Sequence, residues 1–165
     1  MKSVLISIQP KWCELIASGK KTVEVRKTRP KLATPFKCYI YCTNWKDNTY
    51  WKNHYKEKLG KVIGEFVCDR IIGIPYSQYF VDYYHSMPQG DLNSTCLDMG
   101  NIDEYLLSKD GYGWHISDLV IYDKPRELSE FRSYECRAYI DENGYPTPTH
   151  EITRPPQSWC YVDGA

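Results

Sequence analysis

Residues 18–28 read SGKKTVEVRKT, and within them lies the spacing Gly19-x-Lys21-x-x-Glu24-x-Arg26. A solvated charge run has no need of the two valines threaded through it, and an ordinary core strand has no need of the charges. Alternation resolves the conflict. In an extended strand, Val23 and Val25 point to one face while Thr22, Glu24 and Arg26 point to the other. The valines anchor the strand in a core and the glutamate and arginine stand side by side opposite. Lys21 follows the Gly19 turn, where its long stem can reach the same face. The expectation is that Val23 and Val25 are buried and that Glu24 and Arg26 line a cleft.

The flanks of this stretch place it in a fold. Val4 to Ile8 reads as a first strand, ended by Gln9-Pro10. Pro10 suits the first helical position, and Trp12, Cys13, Leu15, Ile16 and Ala17 give a broad apolar helical face. Gly19 takes the left-handed position that closes the helix. Further strands are expected over 36–43, 61–72 and 114–122, with a last one in the tail QSWCYV. Residues 44–60, rich in Trp, Tyr and Lys, read as a short helix or surface excursion. Residues 75–100 read as a long loop or insertion, and a short helix capped by Asn101 is expected over 102–108. Pro125 to Phe131 reads as one helical turn with Leu128 and Phe131 packing back, and 141–156 reads as loop. Five or six strands with one early helix and few long ones predict a mainly β, α+β fold. The architecture expected is a small, largely antiparallel barrel with helices outside. It forms one domain over 1–165, with an insertion at about 75–110.

Composition bounds the function. The 165 residues are 42% hydrophobic and 25% charged, as in globular domains, and 15% aromatic, with 15 Tyr and 5 Trp. Lys plus Arg and Asp plus Glu both number 21, which argues against strong nonspecific duplex binding through phosphate neutralisation. No apolar run is long enough to span a bilayer, and the N-terminus does not read as a signal peptide. A cytoplasmic protein without membrane contact is expected. Seven cysteines in no framework predict reduced thiols. Cys38 and Cys42, the close pair, lie on a predicted strand and are separated by roughly 13 Å, too far to share one zinc. No metal and no cofactor are expected.

Strand, proline-started helix QPKWCELIASG, the motif on a strand, and a later GWHI together resemble the ASCH domain family, whose fold is a PUA-like β-barrel. The resemblance runs from Met1 to about Tyr122, with the tail closing the barrel. It implies a cleft between barrel and first helix, lined by the motif, and a role in RNA metabolism or RNA binding. Some small family members are amidohydrolases that deacetylate acetylcytidine nucleosides. Their catalytic lysine matches Lys21, but their threonine nucleophile falls where this chain has Glu24.

The residues themselves allow three readings. In the first, Lys21 and Arg26 donate to phosphate, carboxylate or a base edge, Glu24 accepts from an exocyclic amine, and Trp12 or Trp114 stacks a base. Gln9 and Lys11, at the helix entry, complete this ligand-binding set for single-stranded RNA, a nucleotide or a nucleoside. In the second, the chain is a hydrolase, acetylcytidine amidohydrolase-like or ribonuclease, with Lys21 and Glu24 catalytic; a dry pocket would lower the lysine's pKa. In the third, the charges form an ion-pair network of purely architectural purpose. Glu65 is a further acid candidate.

Overall fold

The computed structural model describes residues 2–44, 53–78, 83–133, 143 and 150–163. In chain order its elements are β1 (Lys2–Ile8), α1 (Pro10–Ala17), β2 (Val23–Arg26), β3 (Phe36–Cys42), β4 (Lys61–Cys68), β5 (Ile71–Ile74), β6 (Tyr76–Gln78), β7 (Tyr83–His85), α2 (Gln89–Thr95), α3 (Met99–Leu106), β8 (Gly111–His115), β9 (Ser117–Arg126), a 3-10 turn (Leu128–Glu130), β10 (Arg132–Ser133), β11 (His150–Glu151) and β12 (Trp159–Asp163). The fold is mainly β. The chain forms two compact units, one of Met1–Cys13, Lys37–Phe66 and Leu119–Ala165, the other of Glu14–Phe36 and Val67–Asp118.

The first unit is built on a seven-stranded sheet, ordered β11-β10-β12-β1-β3-β4-β9. Its central strand, β1, is buried from Ser3 to Ile8, as its β-branched run suggests. It pairs antiparallel with β12, Leu5 opposite Cys160, and parallel with β3, Leu5 opposite Tyr39. Leu5, Tyr39, Tyr41, Val62, Phe131, Ile152 and Val162 form the core. Tyr39 and Phe131 meet edge to face, ring centroids 4.9 Å apart, and Leu128 packs against the same core, as expected for PRELSEF. The end strands β9 and β11 do not pair with each other among the described residues, so the sheet is open and the expected closure into a barrel is not seen there.

Glu65, on β4, belongs to this unit. Its carboxylate takes the Lys37 amine at 2.7 Å and the Tyr122 hydroxyl at 2.5 Å. Burial pushes its pKa up, but the two hydrogen bonds outweigh burial and hold it below the ordinary 4.5. A carboxyl depressed in the folded state stabilises above its unfolded pKa and loses that contribution as pH falls through the folded value. The stability gap between wild type and Glu65→Gln is therefore expected at pH 7 and to shrink below about pH 4.5. Urea melts of both proteins across that range check it; a gap constant down to pH 3 overturns the assignment.

The second unit holds a three-stranded sheet, β2-β8-β5, and the β6-β7 hairpin. The expected strands 61–72 and 114–122 are each divided. The first breaks at Asp69-Arg70 and the second at Ile116. At the breaks, His115 N–H donates to the Arg70 carbonyl at 3.0 Å and Ile116 N–H to the Thr22 carbonyl at 2.8 Å, while Asp118 takes a left-handed φ of 46°. The expected loop over 75–100 holds β6, β7, α2 and the start of α3 among its described residues. That helix starts earlier than expected, because its cap is Asp98. The Asp98 carboxylate accepts Asn101 N–H at 2.7 Å, and Asn101 is the third residue of the capping box. Ile102 and Leu106 of this helix join Val25 and Ile74 in a second core. Residues 45–52 of the aromatic segment, 134–140 with Cys136, and 141, 142 and 144–149 of the loop expected over 141–156 lie outside the described residues. No disulfide joins the six described cysteines to one another.

Candidate functional site

The helix end that leads into the motif is closed by backbone. Gly19, at φ 73°, donates to the Ile16 carbonyl at 2.9 Å, and both Lys20 and Lys21 N–H donate to the Leu15 carbonyl at 3.0 Å. That turn needs a left-handed residue, which glycine adopts without a Cβ penalty. It delivers Lys21 to the start of β2 with its backbone already fixed.

Lys21, Glu24 and Arg26 then come together as one ion cluster. The Lys21 ammonium donates to the Val23 carbonyl at 2.9 Å and to the Thr95 carbonyl at 2.7 Å, and lies 3.2 Å from Glu24 Oε2. Glu24 Oε1 meets Arg26 Nη2 at 2.9 Å. Two cations and one carboxylate leave the cluster with one formal positive charge. It is enclosed: Lys21 is 2%, Glu24 6% and Arg26 8% exposed.

Burial reaches both faces of this strand. Val23 and Val25 are buried as anticipated, but so are Glu24 and Arg26, and Lys21 with them. The reason is α2. Its last turn docks on residues 20–22, where Thr22 N–H donates to the Ser94 carbonyl at 2.9 Å and the Cys96 thiol faces the Lys20 carbonyl at 3.4 Å. The carbonyls of a helix C-terminus lack intrahelical partners and carry partial negative charge, so Thr95 is a ready acceptor for an ammonium. Its own hydroxyl is bonded to the Leu92 carbonyl at 2.6 Å, which holds that turn in place.

Trp114 sits opposite Glu24 across the β2-β8 ladder, and Tyr112 opposite Arg26. The Trp114 ring is 0% exposed and meets Phe36 edge to face at 5.8 Å. It walls the cluster and offers no open stacking surface. Gln9, Lys11 and Trp12 belong to the unit of the seven-stranded sheet. The Gln9 carbonyl accepts Trp12 and Cys13 N–H at 3.0 Å, and the exposed Lys11 amine lies 4.4 Å over the half-buried Trp12 ring.

Two histidine pairings are not signalled by the sequence. His115 Nδ1 bonds Asp69 Oδ1 at 2.6 Å, a contact that holds the Asp69 carboxyl below its ordinary range. His85 is buried between the Asp103 carboxylate, which contacts Nδ1, and the Lys109 carbonyl, 2.8 Å from Nε2. Both pairings cross long sequence separations that no local spacing signals. Cys68 adjoins the first of them, yet burial pushes its thiol up to about 12, so it is no ready nucleophile. Among the described residues no group of three or more His, Cys, Asp or Glu is arranged to hold a metal.

Comparison with known proteins bears on the whole of this arrangement. Curated proteins give no match. Among solved structures, the crystal structure of ASCH from Zymomonas mobilis superimposes with a TM-score of 0.59 at 19% identity, covering 98% of this chain and 87% of that one. A tyrosine-to-phenylalanine variant of the Zymomonas mobilis protein gives 0.58 at 20%, covering 99% and 91%. At these identities the likeness is one of fold. The sequence model of the ASCH domain matches residues 6–90, more than half of the chain, from the end of β1 through the motif to the start of α2. The chain belongs to the ASCH domain family.

Proposed function

We propose that this protein binds RNA or a modified nucleotide through the Lys21-Glu24-Arg26 cluster and serves in RNA metabolism in the cytoplasm. In this reading the seven-stranded sheet belongs to a PUA-like barrel. The observation that carries the reading is the engagement of Lys21. Its amine is directed at two carbonyls and a carboxylate, so it orients Glu24, and Glu24 in turn orients Arg26. An amine held this way must give up its bonds before it can act as base or nucleophile. That favours recognition over the hydrolase alternative. A net cationic cluster whose arginine is fixed by a carboxylate suits a phosphate or base edge, where a pre-set guanidinium loses little freedom on binding.

The test is titration of mononucleotides and short single-stranded RNA into wild type and Arg26→Lys at matched salt, with melting curves for both. Lysine keeps the charge and loses the planar fork. Loss of a charge-assisted contact of about 1.5–3 kcal/mol weakens binding roughly tenfold or more. Equal affinities with equal melting place the ligand elsewhere. Turnover of acetylcytidine or cleavage of RNA, abolished in Lys21→Met, selects the hydrolase instead.

A further inference from the structure

Beyond Arg26 the chain changes character. Lys27, Thr28, Arg29 and Lys31 are exposed, and residues 27–31, KTRPK, contain three cations and no acid. In a chain whose charges balance overall, this is a concentrated local excess. Two aromatic rings lie beneath it. The Lys27 amine is 5.1 Å from the centroid of Tyr105, and the Arg29 guanidinium carbon is 5.7 Å from that of Tyr112, both within reach of a cation over an aromatic face.

The placement follows from packing in the same unit. Ile102 and Leu106 of α3 share a core with Val25 of β2. Tyr105, between them in sequence, turns outward and is 38% exposed. Tyr112 faces Arg26 across the ladder. The order outward from the cluster is therefore buried Arg26 opposite Tyr112, then Arg29 over Tyr112 and Lys27 over Tyr105. Among the described residues neither Lys27 nor Arg29 pairs with a carboxylate. Alternating cations and rings suit a flexible polyanion carrying flat bases, since phosphates take the charges and bases stack on the rings. An acidic peptide matches the charges and leaves the rings unused.

We infer that a single RNA strand continues from the motif onto this Lys27-Arg29-Tyr105-Tyr112 surface, an extension that rests on the RNA-binding reading above. The motif takes one nucleotide and the surface takes its neighbours. The experiment compares uridine monophosphate with a six-nucleotide oligouridylate, titrated into wild type, Lys27→Ala/Arg29→Ala, Tyr105→Ala and Arg26→Lys over a range of salt. All three surface residues are exposed, so the variants should fold, and melting curves confirm it.

The double variant is expected to bind the mononucleotide like wild type and the oligomer about tenfold or more weakly. Its salt slope should fall by about 1.4, at about 0.7 per single-strand phosphate contact. Tyr105→Ala should weaken the oligomer about fivefold or more through lost stacking. If the double variant binds the oligomer like wild type with the same slope, the extension is overturned while mononucleotide binding stands. If hexaglutamate binds as tightly as the oligomer, the surface reads charge alone and the RNA assignment falls. If wild type binds neither nucleotide nor oligomer, both readings fall together.

Discussion

Replacing Glu24 by alanine is expected to lower the melting temperature by roughly 6–20 °C. The carboxylate is almost fully enclosed between Lys21 and Arg26. Removing one member of a buried ion network costs about 3–5 kcal/mol, because the charges left behind are neither solvated nor paired. In a chain of this size each kcal/mol shifts the midpoint by about 2–4 °C. Differential scanning calorimetry of wild type and Glu24→Ala measures it, and coincident melting curves would show that the cluster is not closed. A companion variant separates architecture from purpose. Lys21→Met/Glu24→Leu/Arg26→Met replaces the whole cluster by apolar groups of similar size, which is often neutral or stabilising. It is expected to melt well above Glu24→Ala and to have lost RNA binding. A triple variant that is stable and binds RNA unchanged leaves the ions without a part in recognition.

Trp114→Ala should be comparably damaging, at about 3–5 kcal/mol for a fully buried aromatic. The ring packs edge-on to Phe36 and covers the face of β2 that carries Glu24. Its loss opens a cavity beside the ion cluster, with further cost if water or strain enters there. Trp114→Phe keeps most of the volume and is expected to retain most of the stability. Urea denaturation of the three proteins decides the matter. A Trp114→Ala protein as stable as wild type, but deficient in nucleotide binding, would reverse the assignment and restore the residue as a stacking platform.

Several elements were legible because their signals are local. Pro10 at the first helical position and Gly19 past the last turn bracket α1. The β-branched runs of β1 and β3 and the tail strand appear where expected. PRELSEF also packs as read. Other features were hidden for a common reason. Polar pairs interrupt the apolar pattern over 61–72 and 114–122, at Asp69-Arg70 and Ser117-Asp118, but an exposed strand face carries such residues too, so they do not by themselves mark where a strand stops serving one sheet and starts serving another. Hydrogen bonds to Arg70 and Thr22 decide that, and their partners are remote in sequence. α2 has seven residues, too few for a helical period to emerge, and its surroundings read as loop.

The motif strand divides along the same line. That Glu24 and Arg26 share one face, with Val23 and Val25 on the other, is a property of the extended backbone and was fixed by residue order alone. That Lys21 belongs with them followed from the Gly19 turn. Whether the charged face met water or protein depended on α2, whose Thr95 carbonyl reaches Lys21 across 74 positions of sequence. A lysine after a turn ordinarily remains solvated, since burying its ammonium is costly without acceptors. Only the folded chain supplies those acceptors, two carbonyls and a carboxylate, and so only the tertiary structure decided that the three charged residues pair in a buried ion cluster.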